Sequence, residues 1–239
     1  MEPAIFDVDA VFLDVGGVFH LPDHRLVIDA FHRAGCGVDP ARLDRAHYAG
    51  AAELVRWPEG AEAIWRAYEE AYVREAGVPP GRFEDAVAEL DVAFTAPGMW
   101  SRHAPGSVAA LRALAATGVA LAIVSNSDGT LEGRLAAEGV CQVGPGLGVP
   151  VAAVVDSGVV GVAKPDPAIF RFALEATGVE PDRAVHVGDT VGADVDGALA
   201  AGVHPLHLDP YGFCGDTSHL HLDDLAALAG LIAAGRLPR

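Results

Sequence analysis

From residue 103 to residue 208, apolar runs of strand length alternate with runs of helix length, and this alternation leaves the chain few folds to choose from. Residues 106–116 read as a helix closed by Gly118, and Val119–Val124 as an unbroken apolar strand. A helix over residues 131–138 follows, then a Gly- and Pro-rich loop, then a second apolar run at Val151–Val155. Asp166 and Pro167 supply an N-cap and a first-turn proline for a helix that Gly178 closes. Ala184–Val187 reads as a strand, residues 193–201 as a helix stopped by Gly202, and Val203–Leu208 as the last strand. Continuous apolar strands separated by helices are the pattern of a parallel sheet covered on both faces. The expected fold class is α/β, a doubly wound, Rossmann-like parallel sheet.

The same sheet takes an earlier strand. Val11, Phe12 and Leu13 form an apolar run that stops at Asp14, with Gly16 and Gly17 just beyond. Alone, an Asp followed by glycines is an ordinary turn. After Phe19 no strand signal appears for a long stretch. Leu26, Val27 and Phe31 suit one helix face ended by Gly35 and Gly37, and residues 41–52 suit a second helix. In residues 61–76, Ile64, Trp65, Tyr68 and Tyr72 recur at helical spacing, and Gly77 with Pro79 and Pro80 stops them. Residues 83–94, with Val87 and Leu90, make a fourth helix. Four helices in a row predict an inserted module. Residues 1–20 and 100–239 are expected to form a discontinuous Rossmann-like core, and residues 21–99 a helical cap.

A parallel sheet gathers the carboxyl ends of its strands at one edge, where such folds hold ligands. Those ends carry Asp14; Ser125 and Asn126; and Asp189, with Asp194 five residues on. Lys164, just before the Pro167 helix, joins them. Ser125 alone is a strand-end hydroxyl, and Asp189 alone a cap for the next helix. Lys164 is harder to dismiss, because it is the only Lys in a chain whose other basic residues are Arg. A compact point charge is wanted there.

The four tips, in this order and with a helical insertion after the first, resemble the haloacid dehalogenase superfamily in its helical-cap branch. The resemblance covers nearly the whole chain. It implies a magnesium-dependent phosphohydrolase in which Asp14 is the nucleophile and forms an aspartyl-phosphate. Asp14, the Gly16 carbonyl, Asp189 and Asp194 would form the metal site; Ser125 and Asn126 would hold the phosphoryl oxygens; Lys164 would neutralise charge. The sequence departs from the family at Gly16, where most of its phosphatases carry a second Asp that serves as general acid and base. Such catalysis is worth ~10²–10⁴-fold, so either another group substitutes or turnover is slow. His20, His24 and Asp128 are the candidates to substitute, with Asp128 more readily read as a helix cap. Trp57, beside Pro58, is the better candidate for the substrate pocket, ahead of the helical stripe of Trp65, Tyr68 and Tyr72.

Composition narrows the partners. A formal charge of −17 disfavours nucleic acid and acidic membranes and suits a protein that gathers cations. The N-terminus shows no secretion signal and no run approaches a membrane span, so a cytoplasmic location is expected. Cys36, Cys141 and Cys214 show neither a disulfide framework nor a metal-ligand spacing. The expected substrate is a small phosphorylated metabolite. Two other readings stand beside this one: a binding or regulatory protein that keeps the fold but has lost turnover, resting on Gly16, and a metal-free haloacid dehalogenase, which has no use for the Asp189 and Asp194 pair.

Overall fold

The computed structural model describes residues 7–55, 61–235 and 237. Its first strand, β1 (Ala10–Leu13), is buried at every position, as a strand at the middle of a covered sheet must be. A tight turn leads from β1 to β2 (His20–Pro22). Four helices follow: α1 (His24–Arg33), α2 (Leu43–Ala51), α3 (Ala61–Ala76) and α4 (Phe83–Phe94). The chain returns through β3 (Trp100–His103), α5 (Ser107–Ala116), β4 (Ala120–Ser125) and α6 (Leu131–Ala137). Then come β5 (Cys141–Val143), β6 (Val149–Val151), β7 (Ala153–Asp156), the single turn α7 (Ser157–Val160) and α8 (Ala168–Thr177). The last elements are β8 (Ala184–Gly188), α9 (Asp196–Ala200), β9 (His204–Leu208), β10 (Leu220–Leu222) and α10 (Leu225–Ala233).

The main sheet is parallel throughout and runs β10-β9-β8-β1-β4-β7. Leu13 pairs with Ile123 of β4 on one side and Val187 of β8 on the other. The chain winds from β1 through β4 to β7, then crosses back to β8 and on to β10. The order therefore reverses beside β1, and Asp14 follows β1 at that switch point. Period-two alternation divides the apolar residues between two faces. Val11, Leu13, Ile123 and Val187 pack with α5, α6 and α10, whereas Phe12, Val124 and Ala184 pack with α8 and α9.

Three sequence expectations are corrected here. The run Val151–Val155 is two strands: β6 pairs with β5 in a separate small sheet, and only β7 joins the main one. The helix expected from residue 193 opens with a π-helical turn over Val191–Val195 before α9. Val203–Leu208 is not the last strand, because β10 and α10 follow it; β10 is only three residues long, too short to show a period. No helix among the described residues is long and apolar enough to cross a membrane.

Helices α1–α4 bury their own apolar cluster, with Val27, Phe31, Tyr68, Tyr72 and Leu90 at its centre. Asp23 caps α1, accepting from the Arg25 amide at 2.8 Å. The group of helices is joined to the sheet through an antiparallel pair, β2 with β3, in which His20 faces His103. Glu69 of α3 is 4% exposed. Burial, then the nearby Asp91, push its carboxyl up from the usual 4.5 to about 7. The folded state thus holds a proton there that the unfolded chain releases, and stability falls as pH rises from about 4.5 through about 7. Glu69→Gln should therefore raise the thermal midpoint at pH 8, by an amount equivalent to roughly 1–3 kcal/mol, and leave it nearly unchanged at pH 5. Calorimetry of both proteins at the two pH values checks this; equal shifts at both would remove the carboxyl from the account.

Candidate active site

Four segments bring their side chains to the carboxyl edge of the sheet beside β1. Asp14 follows β1, Ser125 ends β4, Lys164 precedes α8, and Asp189 follows β8. All four are buried, yet all four line one cavity of about 590 Å³ that opens between the strand tips and the helices. The Lys164 ammonium lies 3.0 Å from Asp14 Oδ1 and 2.6 Å from Asp194 Oδ1. Asn126 holds the Lys164 backbone from both sides: its Oδ1 accepts from the Lys164 amide at 2.8 Å, and its Nδ2 donates to the Lys164 carbonyl at 3.0 Å. The side chain of Asn126 thus secures the lysine segment.

Asp194 is fully engaged by protein donors. Its Oδ1 accepts from Lys164 and from His186 Nε2 at 2.9 Å; its Oδ2 accepts from the Thr190 amide at 3.0 Å and hydroxyl at 2.6 Å. These donors, with Lys164 foremost, outweigh burial and hold its carboxyl far below the usual range. Asp189 has a different neighbour: His47 of α2 donates from Nε2 to Asp189 Oδ2 at 3.1 Å, while the Tyr68 hydroxyl donates to its Nδ1 at 2.8 Å. Burial pushes Asp14 up; Lys164 opposes this, and the Asp194 and Asp189 carboxylates add to it. Oxygens of Asp14, Asp189 and Asp194 lie within 4.8 Å of one another. Three carboxylates against one ammonium leave two formal negative charges in excess in this buried group. A divalent cation would relieve it. Since Asp194 has no free oxygen, Asp14 and Asp189 fit such an ion best, and magnesium is commonly held by one or two carboxylates with retained waters.

The two glycines after Asp14 differ. Gly17 has φ +66°, and a Cβ there would strike the Asp189 carboxylate, so the turn needs glycine. Gly16 lies outside the left-handed region, and a Cβ would meet nothing nearer than Asp14 Oδ2 at 4.0 Å. The backbone at position 16 accepts a side chain.

The other candidates separate clearly. His20 is buried, lines the cavity, and donates from Nε2 to Glu138 Oε2 at 2.6 Å. Burial lowers its pKa against the opposing pull of Glu138. His24 pairs with Asp44 at 2.8 Å and is not among the cavity's lining residues. Asp128 lines the cavity and accepts from the Thr130 amide at 3.1 Å, but Asp156 Oδ2 is what accepts from the first amide of α6, that of Leu131. Asp189 does not cap the helix after it. Trp57 lies outside the described residues. Trp65 and Tyr68 line the cavity, whereas Tyr72 packs in the helical cluster.

Sequence reasoning missed His47, His186 and Arg134. His186 had a signal, as the one polar residue inside an apolar strand. His47 had none, for it stands on a helix far from the other tips in sequence. Arg134 of α6 lines the cavity, with its buried Nε unpartnered. Cys214, which shows no metal-ligand spacing in the sequence, lies with His207, His219 and His221, donor atoms within 4.8 Å of one another, a group the sheet assembles from separate segments.

Comparison with known proteins agrees with this geometry. A protein of Mus musculus, haloacid dehalogenase-like hydrolase domain-containing protein 3, is 39% identical over 132 residues, covering 55% of this chain and 49% of that one. A phosphoserine phosphatase of Thermus thermophilus is 36% identical over 148 residues, 62% of this chain and 57% of its own. The matches thus span about half the length of these curated relatives. Among solved structures, a hydrolase of the same superfamily from Deinococcus radiodurans, crystallised with phosphate and sodium, superposes with a TM-score of 0.57 at 25% identity, covering 97% of this chain and 99% of that one. A family model described as haloacid dehalogenase-like hydrolase matches residues 8–202. That span begins just before β1, ends just after α9, and takes in every residue around the cavity: the chain belongs to the haloacid dehalogenase-like hydrolases.

Proposed function

We propose that this hydrolase is a magnesium-dependent phosphatase of small phosphorylated metabolites, working through an aspartyl-phosphate on Asp14. The observation that carries the reading is the Asp14 carboxylate, set in the cavity wall against the Lys164 ammonium and beside two more carboxylates. In phosphoryl transfer the protein mainly positions groups and stabilises charge. One Asp14 oxygen attacks phosphorus and the substrate oxygen leaves; water then attacks the aspartyl-phosphate, releasing phosphate and restoring the carboxylate. Asp14, the Gly16 carbonyl and Asp189 would hold magnesium, which would supply the positive charge that lets an anionic nucleophile approach an anionic phosphate. Asp194 orients Lys164 from beneath. Ser125 and the Asn126 amide donate to phosphoryl oxygens, and Lys164 offsets charge on them and on Asp14.

The helices of residues 21–99 would serve as a cap over the core of residues 1–20 and 100–239. Three observations support this: their separate apolar cluster, their attachment through the adjacent strands β2 and β3, and the contribution of His47, Trp65 and Tyr68 to the cavity. Arg134, with its unpartnered Nε, suits a second acidic group on the substrate. The similarity to a phosphoserine phosphatase is consistent with a substrate of that kind.

Asp14→Asn should lower turnover on the order of 10³-fold or more while leaving the fold intact, and chelation should abolish activity reversibly. Full activity of that variant in excess chelator would end the phosphatase reading. Trp65→Ala should change selectivity among substrates by roughly 10-fold and alter turnover of a small aryl phosphate less; equal losses on all substrates would make Trp65 a packing residue only.

Gly16 brings no side chain to the site. With no carboxyl there, the leaving oxygen departs bearing most of its charge, so rate should depend steeply on leaving-group pKa. Aryl and acyl phosphates should turn over much faster than sugar phosphates. Because position 16 accepts a Cβ, Gly16→Asp should fold and raise alkyl-phosphate turnover, by up to about 10²–10⁴-fold. A flat dependence in the wild type would assign the proton to another residue. His20→Ala and His47→Ala would then show which imidazole supplies it, by which one steepens the line.

A further inference from the structure

Beyond residue 202, where the family match ends, the chain builds a second cluster of metal-binding side chains. His207 of β9 and His221 of β10 are register partners on neighbouring parallel strands. Alternation turns Leu206, Leu208 and Leu222 into the apolar core and leaves the two histidines together on the opposite face. His219 stands just before β10, and Cys214 lies in the loop that leads to it. His219 Nε2 is 3.1 Å from His207 Nδ1, 3.0 Å from His221 Nε2 and 3.8 Å from Cys214 Sγ. Ligands of a tetrahedral zinc, at about 2.0–2.1 Å for nitrogen and about 2.3 Å for sulfur, stand about 3.3 Å apart for nitrogen pairs and about 3.6 Å for nitrogen and sulfur. The three distances from His219 Nε2 are close to those values, and all four donor atoms lie within 4.8 Å of one another.

The outer contacts orient the rings. His207 Nε2 is 3.1 Å from the Asp189 carbonyl, which can only accept, so Nε2 carries the proton. In the neutral ring, Nδ1 then presents a lone pair to the cluster. His219 turns Nδ1 toward Asp216, whose carboxylate is 3.9 Å away, and Nε2 toward the cluster. His219 Nε2 is thus the central atom of the group, within hydrogen-bond distance of both His207 Nδ1 and His221 Nε2. Metal-binding histidines are commonly held as His207 is, with the outer nitrogen on a carbonyl.

We propose that His207, Cys214, His219 and His221 form a tetrahedral site for zinc or a divalent ion of its class, separate from the carboxylate centre. A thiolate with three imidazoles selects such an ion over magnesium, which prefers oxygen. On binding, Cys214 gives its thiol proton to solvent and the sulfur becomes a ligand. The ion ties the loop that carries Cys214 to the sheet edge. Through His207 it also steadies the carbonyl of Asp189, one hydrogen bond away. The site is independent of the phosphatase reading.

The test uses the full chain, stripped with chelator and then loaded with zinc or cobalt(II) in excess magnesium, with bound metal measured after dialysis. One ion should stay bound per chain, and the cobalt form should show tetrahedral ligand-field bands with a thiolate charge-transfer band. Cys214→Ser should abolish the charge-transfer band. His219→Ala should weaken zinc binding more than roughly 100-fold, beyond the ~10–100-fold typical of losing an outer partner. His221→Ala alters an exposed side chain, and should weaken binding in a protein whose circular dichroism matches the wild type. Asp14→Asn should retain the ion. Failure of the wild type to hold zinc against dialysis would overturn the proposal. So would a cobalt form without the thiolate band, or zinc that survives Cys214→Ser and His221→Ala but is lost in Asp14→Asn.

Discussion

The Lys164 ammonium, buried between Asp14 and Asp194, is the contact on which the rest of the centre depends. A charge taken out of water needs its partners at close range, and removing one partner from a buried pair typically costs about 3–5 kcal/mol. Three segments far apart in sequence must therefore arrive together: the end of β1, the loop before α8 and the π-helical turn after β8. Asn126 adds a fourth by holding the Lys164 backbone through both its amide and its carbonyl. The sheet order makes this possible, because β1 lies between β4 and β8 where the winding reverses.

Close backbone approach completes the arrangement. A Cβ on Gly17 would displace the Asp189 carboxylate, and one on Gly188 would displace that of Asp194. Both carboxylates are thus packed directly against main chain. Position 16 is under no such restriction. The glycine there has no steric cause in the fold.

The helical insertion is more than a neighbour to the centre. The Tyr48 hydroxyl donates to the Gly17 carbonyl at 2.6 Å, His47 reaches Asp189, and the Gly192 amide donates to the Leu54 carbonyl at 2.9 Å. Each contact joins α2 or the residues just after it to a loop that carries part of the carboxylate cluster. Movement of these helices would have to break or carry along those bonds. Whatever opens the cavity therefore acts on the charged groups as well.

The sequence by itself determined the architecture and most of the strand-tip residues. Its continuous apolar strands and its helix stops are local signals, and Asp14, Ser125, Lys164, Asp189 and Asp194 each stand at or near such a boundary. Strong periodicity placed α3 and α4 at their observed limits. Short elements escaped: β2, β3 and β10 have too few residues to express a period, and the break between β6 and β7 depends on which partner strand each one finds. Side-chain company was decided only by the tertiary structure. His47 meets Asp189 across 142 residues, a distance at which no local pattern operates. Cys214 looked solitary because its partners are set by the pairing of β9 with β10 and by a loop that folds back onto them. Local sequence chooses strand, helix and turn; which carboxylate is held by which cation, and which imidazoles meet, follows only once the sheet has closed its register.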